Sequence, residues 1–175
     1  MRIAILTLGT RGDMQPYIAL ALGLRDAGHD VVISGPENFA DWVHGFGFDY
    51  VSGGLDLQAL LQSPEGRDLI SGSVWAIIRN FRELSTKITE EIIDGSTQAS
   101  EGADLIIYHP KVPVAVDLGE AKNIPVLQTA LQPIVVPTGD FAIAGLGNGR
   151  LGRRINKWTY GAIRAQRAMF SKQLN

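Results

Sequence analysis

The sequence predicts an α/β protein built on a doubly wound parallel sheet, and three observations carry that expectation. Five short apolar runs recur along the chain, each continuous enough to be a strand covered on both faces. Segments with apolar residues at helical spacing separate the runs, and glycine or proline marks the junctions. At the start of the chain, strand, helix and strand follow one another within about 35 residues, the size of a right-handed βαβ unit.

Ile3 to Leu8 is the first run. One arginine precedes it, as in a secretory leader, but the run is short, lacks a small-residue cleavage site and ends in Gly9-Thr10-Arg11-Gly12-Asp13, so it reads as a buried strand. Tyr17, Leu20, Ala21 and Leu24 then recur at helical spacing, and Gly28-His29-Asp30 stops that helix with a glycine where a left-handed residue is wanted. Val31 to Ser34 is the second strand; a short helix over Glu37 to His44, closed by Gly45 and Gly47, leads to a third at Phe48 to Ser52. Leu55 to Gln62 predicts another short helix and Ser63-Pro64-Glu65-Gly66 a turn. Val74, Ile77, Ile78, Phe81, Leu84, Ile88 and Ile92 make one core-facing stripe of a long amphipathic helix ending near Gly95. Leu105 to Tyr108 is the fourth strand, Val114 to Ala121 a helix, and Pro125 to Ala130 the fifth strand. After Gln132, prolines and glycines replace periodicity for roughly twenty residues, a loop length usually kept for function or motion. A basic helix over Arg154 to Lys172 closes the pattern, giving a Rossmann-like domain over 1–150 and the basic helix within 151–175.

Composition narrows the function classes. A chain of 175 residues with 45% hydrophobic and 19% charged residues has enough apolar side chains for a core, which excludes a disordered chain. The absence of cysteine excludes disulfides, thiolate nucleophiles and Cys-ligated zinc and fits a reducing compartment, and three scattered histidines argue against a metal cluster. No apolar stretch approaches the ~20 residues that span a bilayer, so a cytoplasmic location is expected. The net charge of −2 conceals an asymmetry: residues 1–149 hold all 18 acids against nine Lys or Arg, whereas residues 150–175 hold seven bases and no acid. An acidic body argues against nucleic acid as a partner.

Functional residues of a doubly wound sheet sit beyond the carboxyl ends of its strands, so the segment Gly9 to Asp13 is the first place to look. It matches neither the dinucleotide fingerprint nor the P-loop, and Asp13 puts a negative charge where a phosphate would sit. Two readings of Asp13 stand together: an N-cap of the following helix, or a general base at the sheet edge. Pro16 bears on the choice, since proline at the first helical position would make Gln15 the cap and leave Asp13 in the loop.

The run Gly9-Thr10-Arg11-Gly12-Asp13-Met14-Gln15-Pro16, the Ala/Leu-rich helix after it and Ala27-Gly28-His29-Asp30-Val31 resemble the N-terminal domain of glycosyltransferase family 28, with its sterol glucosyltransferase and antibiotic glycosyltransferase relatives. Glu37-Asn38-Phe39, Gly53-Gly54 and Pro133 to Phe141 extend the resemblance over essentially the whole chain. The resemblance implies the N-terminal half of a GT-B enzyme, in which this half binds the acceptor and carries the base, and a C-terminal half outside these residues binds the nucleotide sugar. It implies Asp13 as the base, because Gly12-Asp13-Met14-Gln15-Pro16 keeps the spacing of the Gly-His-x-x-Pro run that carries the catalytic His of related small-molecule glucosyltransferases. Acceptor contacts are expected from Thr10, Arg11, Gly12 and Met14, and across the cleft wall after the fifth strand from Gln132, Pro133 and Thr138.

The implied reaction is inverting transfer of a hexose from a UDP- or TDP-sugar, a co-substrate rather than a cofactor, to a hydroxyl of a lipid-like, sterol-like or polyketide-like acceptor. The competing reading is a non-catalytic module that holds a small molecule or partner in the same cleft. His109 follows the fourth strand, where related plant enzymes carry an acid that partners the catalytic His; here it is either the second member of an Asp13 dyad or a solvated or backbone-bonded histidine. Arg11 either meets an anionic donor group or braces the loop against an acid. His29 and His44 read as capping or solvated residues at helix ends, and Trp75, Ile78 and Phe81 as core or as acceptor pocket. The basic end, Arg150 to Lys172, reads as a solvated helix, as a docking surface for the other half, or as a peripheral membrane contact; the last requires Trp158, Tyr160, Ile163 and Phe170 to share one apolar face.

Overall fold

Parallel strands need long crossovers, and the helices between the apolar runs supply them. The computed structural model describes residues 1–53, 89–132, 136–142 and 152–161. Strands β1 (Arg2–Leu6), β2 (Asp30–Gly35), β3 (Asp49–Ser52), β4 (Leu105–Tyr108) and β5 (Val126–Gln128) form one parallel sheet in the order β3-β2-β1-β4-β5. Ile3 is level with Val31 on one side and Leu105 on the other. The winding therefore reverses at β1 and β4, and the crevice such a reversal opens lies at their carboxyl ends.

Helix α1 (Arg11–Asp26) joins β1 to β2, and a 3₁₀ turn (Glu37–Phe39) with α2 (Ala40–His44) joins β2 to β3. Helix α3 spans 89–99 among the described residues, and α4 (Val114–Lys122) joins β4 to β5. Ile3, Ile5 and Ile33 of the sheet pack against Met14, Tyr17 and Ile18 of α1 in the main core. Each such side chain contributes about 1.5–3 kcal/mol by leaving water. The stop at Gly28 forms as expected: Gly28 has φ +86°, its N–H donates to Arg25 O, and the His29 N–H donates to Leu24 O, a Schellman closure.

Several expected boundaries move for local reasons. β1 ends at Leu6 instead of Leu8, because the chain is already turning toward Gly9 at φ +135°. Gly95 does not end its helix: α3 continues through residue 99, and a Cβ on Gly95 would meet the Gly53 Cα and the Ser52 carbonyl. This glycine permits close helix–strand approach. α4 gains one residue, Lys122, before the left-handed Asn123 at φ +54°. β5 is shorter than expected, and its three residues are exposed at the sheet edge. The helix at 55–62, the turn at 63–66 and the stripe from Val74 through Ile88, with Trp75, Ile78 and Phe81, lie outside the described residues.

Two compact units are present, Met1–Gln128 and Thr129–Asn175, and they divide where β5 ends. In the second unit α5 (Arg153–Thr159) is held to the turn at 136–142 by Asn156, whose buried side-chain amide donates to Gly139 O at 2.8 Å. Of the four residues required for a membrane-facing stripe, Trp158 is exposed and Tyr160 buried, so these two do not share a face; Ile163 and Phe170 are outside the described residues. Among the described residues no helix is long and apolar enough to cross a membrane.

Candidate active site

The first turn of α1 builds one wall of the site. Thr10 is the N-cap, extended at φ −93° and ψ 176°, and Asp13 is the third helical residue. Asp13 Oδ2 accepts the Thr10 N–H at 2.8 Å and the Thr10 hydroxyl at 3.2 Å, so the carboxylate closes the Asp13 half of a capping box. A start at Pro16 with Gln15 as cap, the alternative that Pro16 raised, is not what forms: the helix begins at Arg11, five residues before Pro16. Pro16 cannot donate to the Gly12 carbonyl, but both residues are exposed and water can take the acceptor. Gly9 completes the turn. At φ +135° it is in a region L side chains avoid, and a Cβ there would run into the Asp13 carboxylate and stand 2.9 Å from Lys111 Nζ.

The second wall comes from the end of β4. The His109 N–H donates to Leu6 O at 2.9 Å, which carries His109 alongside β1. Its ring is buried and meets Tyr17 edge-on, with centroids 5.9 Å apart. The Lys111 N–H donates to His109 Nδ1 at 3.1 Å. A backbone N–H only donates, so Nδ1 carries no proton and the neutral ring is protonated at Nε2. That Nε2 stands 3.8 Å from Asp13 Oδ1, facing it but beyond hydrogen-bond length. Lys111 Nζ reaches the same oxygen at 3.0 Å.

Burial of Asp13 works to raise its pKa, but the Thr10 N–H, the hydrogen bond and charge of Lys111 and the Thr10 hydroxyl together bring it below the ordinary aspartate value. Burial lowers the pKa of His109, the charge of Lys111 lowers it further, and Asp13 offsets only part of this. At neutral pH the site holds an ionised Asp13, a neutral His109 and an ammonium group. Oδ2 has both lone pairs engaged by Thr10, whereas Oδ1 has one direct donor and can accept another.

The other expected site residues fall in different places. Thr10 and Gly12 lie on the exposed α1 turn; an added Cβ on Gly12 would have Thr10 Oγ1 no nearer than 3.7 Å. The Arg11 guanidinium lies over the Trp42 ring, 4.8 Å from its centroid, so it braces the turn through an aromatic face. Met14 is fully buried and packs in the core, because the helix starting at Arg11 turns this position onto the sheet. In the second unit Gln132 is exposed, Thr138 is hydrogen-bonded to Asp140, and Pro133 lies outside the described residues. His29 closes the Schellman turn through its N–H, and His44 Nδ1 lies 3.1 Å from Phe48 O, both at helix carboxyl ends. Lys111 was not anticipated, although a cation two residues past a strand-end histidine was the available signal. Among the described residues no three His, Asp or Glu side chains come together to hold a metal ion.

The sequence pattern described as the glycosyltransferase family 28 N-terminal domain matches residues 3–135. A sterol 3-beta-glucosyltransferase of Debaryomyces hansenii is 33% identical over 135 residues, 74% of this chain and 8% of the relative. An O-mycaminosyltylonolide 6-deoxyallosyltransferase of Streptomyces fradiae is 34% identical over 122 residues, 69% of this chain and 29% of the relative. The chain thus spans less than a third of the length of either. Among solved structures, the glycosyltransferase SnogD from Streptomyces nogalater aligns with a TM-score of 0.57 at 17% identity, covering 99% of this chain and 40% of that one. The Streptomyces glycosyltransferase SsfS6 complexed with thymidine diphosphate aligns with a TM-score of 0.54 at 18% identity, covering 95% and 44%. At these identities the structural likeness establishes the shared α/β fold of glycosyltransferases.

Proposed function

Since the chain belongs to glycosyltransferase family 28, whose N-terminal domain it carries, we propose that its Asp13 edge is the acceptor side of an inverting hexosyltransferase. The observation that carries this reading is the division of labour within one carboxylate: Oδ2 is bound to Thr10, and Oδ1 retains an unused lone pair beside a neutral histidine. In the proposed reaction the acceptor hydroxyl donates to Asp13 Oδ1. As its oxygen bonds to the anomeric carbon from one face, the nucleoside diphosphate departs from the other and the proton passes to Asp13. A carboxylate with a lowered pKa is a weak base, so alignment of donor and acceptor must supply much of the acceleration.

A sterol-like or polyketide-like acceptor is supported by the names of the relatives, and a TDP-sugar donor, of the UDP- or TDP-sugars expected, by the thymidine diphosphate bound to a structural neighbour. The donor half is not among these 175 residues in this reading, so the chain alone should bind acceptors without transferring sugar. Thermal-shift screening of the chain against a sterol and macrolide-aglycone panel tests this. A stabilising acceptor with no product on adding nucleotide sugar is the expected result; turnover by the chain alone would sink the assignment of donor binding elsewhere.

A further inference from the structure

Lys111 stands outside every role considered so far, yet it is hydrogen-bonded to both partners of the site: its backbone N–H to His109 Nδ1 and its ammonium to Asp13 Oδ1. We propose that Lys111 is a positioning residue, which fixes the Asp13 carboxylate so that Oδ1 is the oxygen offered to an incoming hydroxyl while Oδ2 stays on Thr10. The role rests on the reading of Asp13 as the base.

Two independent features support it. The first is Gly9, where a Cβ would intrude on the Asp13 carboxylate and also on Lys111 Nζ, so the glycine clears space for the pair and not for the carboxylate alone. The second is the anchoring of Lys111. Its main chain is tied to a buried ring that directly follows β4 and packs on Tyr17, so the stem of the lysine starts from a rigid point. Among the described residues three side chains face the carboxylate: Thr10 from the N-cap of α1, and Lys111 and His109 from the segment after β4. Only Lys111 among these brings a positive charge at neutral pH, given the lowered pKa of His109.

The lysine side chain is 48% exposed against 20% for Asp13. A pair this open adds little to folding stability. An arriving hydroxyl can therefore share Oδ1 with the ammonium without cost to the fold, and losing the ammonium should show in charge and orientation more than in stability.

The experiment is a carbon-13 NMR titration of the Asp13 carboxyl in the 175-residue chain, as wild type, Lys111→Met and Lys111→Arg. The expected result is an upward move of the Asp13 midpoint in Lys111→Met by roughly half a unit, at nearly unchanged melting temperature, and recovery in Lys111→Arg. An unmoved Asp13 midpoint in Lys111→Met overturns the positioning role. A moved midpoint together with full turnover of Asp13→Asn, in a form joined to a donor-binding half, overturns instead the reading of Asp13 as base.

Discussion

Two neighbouring crossovers leave the same edge of the sheet and end in opposite chemistry. After β1 the chain passes through Gly9 and Thr10 into α1, and the turn is occupied by a carboxylate that meets a lysine and a histidine from the end of β4. β2 ends on buried Gly35 and the chain continues through buried Pro36, where the Tyr50 hydroxyl seals the turn by donating to Pro36 O at 2.7 Å. Burial pushes the Tyr50 pKa well above its ordinary value, so this group remains a protonated donor. On the following segment Trp42 meets Phe39 at a tilt and Phe46 edge-on. Both turns need a glycine. Gly9 makes room for Asp13 and Lys111, whereas a Cβ on Gly35 would meet the Tyr50 hydroxyl at 2.9 Å and Met14 Sδ at 3.0 Å. Equal topology thus yields one turn closed by packing and one with acceptor capacity to spare, and the second is where chemistry has room to occur.

Gly9 is the position at which the two turns part most sharply. Gly9→Ala combines a left-handed φ with a collision against Asp13, so denaturant unfolding should show a loss of roughly 2 kcal/mol. An unchanged midpoint would mean that the turn does not depend on the carboxylate lying across it. Tyr50→Phe addresses the sealed turn: removing one hydrogen bond to a buried carbonyl should cost about 1 kcal/mol, with acceptor binding unaffected. Loss of acceptor binding in that variant would erase the distinction between the two turns.

A smaller effect, dependent on pH, sharpens the contrast. His109 has a lowered pKa in the fold, so as pH falls below about 6.5 the unfolded chain takes up the proton first and stability declines. Asp13 is likewise lowered, and its contribution is present above about 3.9 and lost as pH falls through the folded value. Unfolding measured against pH should lose the first slope in His109→Gln and keep it in Tyr50→Phe. Identical slopes in wild type and His109→Gln would show that this histidine is not held neutral.

The elements easiest to read from sequence were those whose signals are local. Leu105 to Tyr108 is apolar throughout and lies between Asp104 and His109, and it forms β4 with those bounds. Gly28 stops α1 because the Schellman turn requires only nearby residues. Gly95 misled because a stop and a close approach leave the same letter in the sequence, and only the position of Gly53 separates them. Pro16 left the helix start open in a related way: it marks a favoured start, but the bonds between Thr10 and Asp13 outweigh that preference and set the start at Arg11. That start also takes Met14 into the core. Asp13 and His109 could be placed on one sheet edge from topology alone, whereas the reach of the Lys111 side chain is a tertiary fact with no periodic trace.

Thr10 and not Asp13 is the N-cap, and the two Asp13 oxygens differ: Oδ2 accepts from Thr10, while Oδ1 accepts from Lys111 and can accept once more. The most direct test is Asp13→Asn in a form of the protein that carries a donor-binding half, with acceptor binding and turnover measured side by side. An amide can keep the carbonyl contact to Thr10 while losing the capacity to take a proton, so turnover should fall by about 100-fold or more with acceptor affinity retained. Turnover at the wild-type rate would contradict the account and return Asp13 to a capping residue.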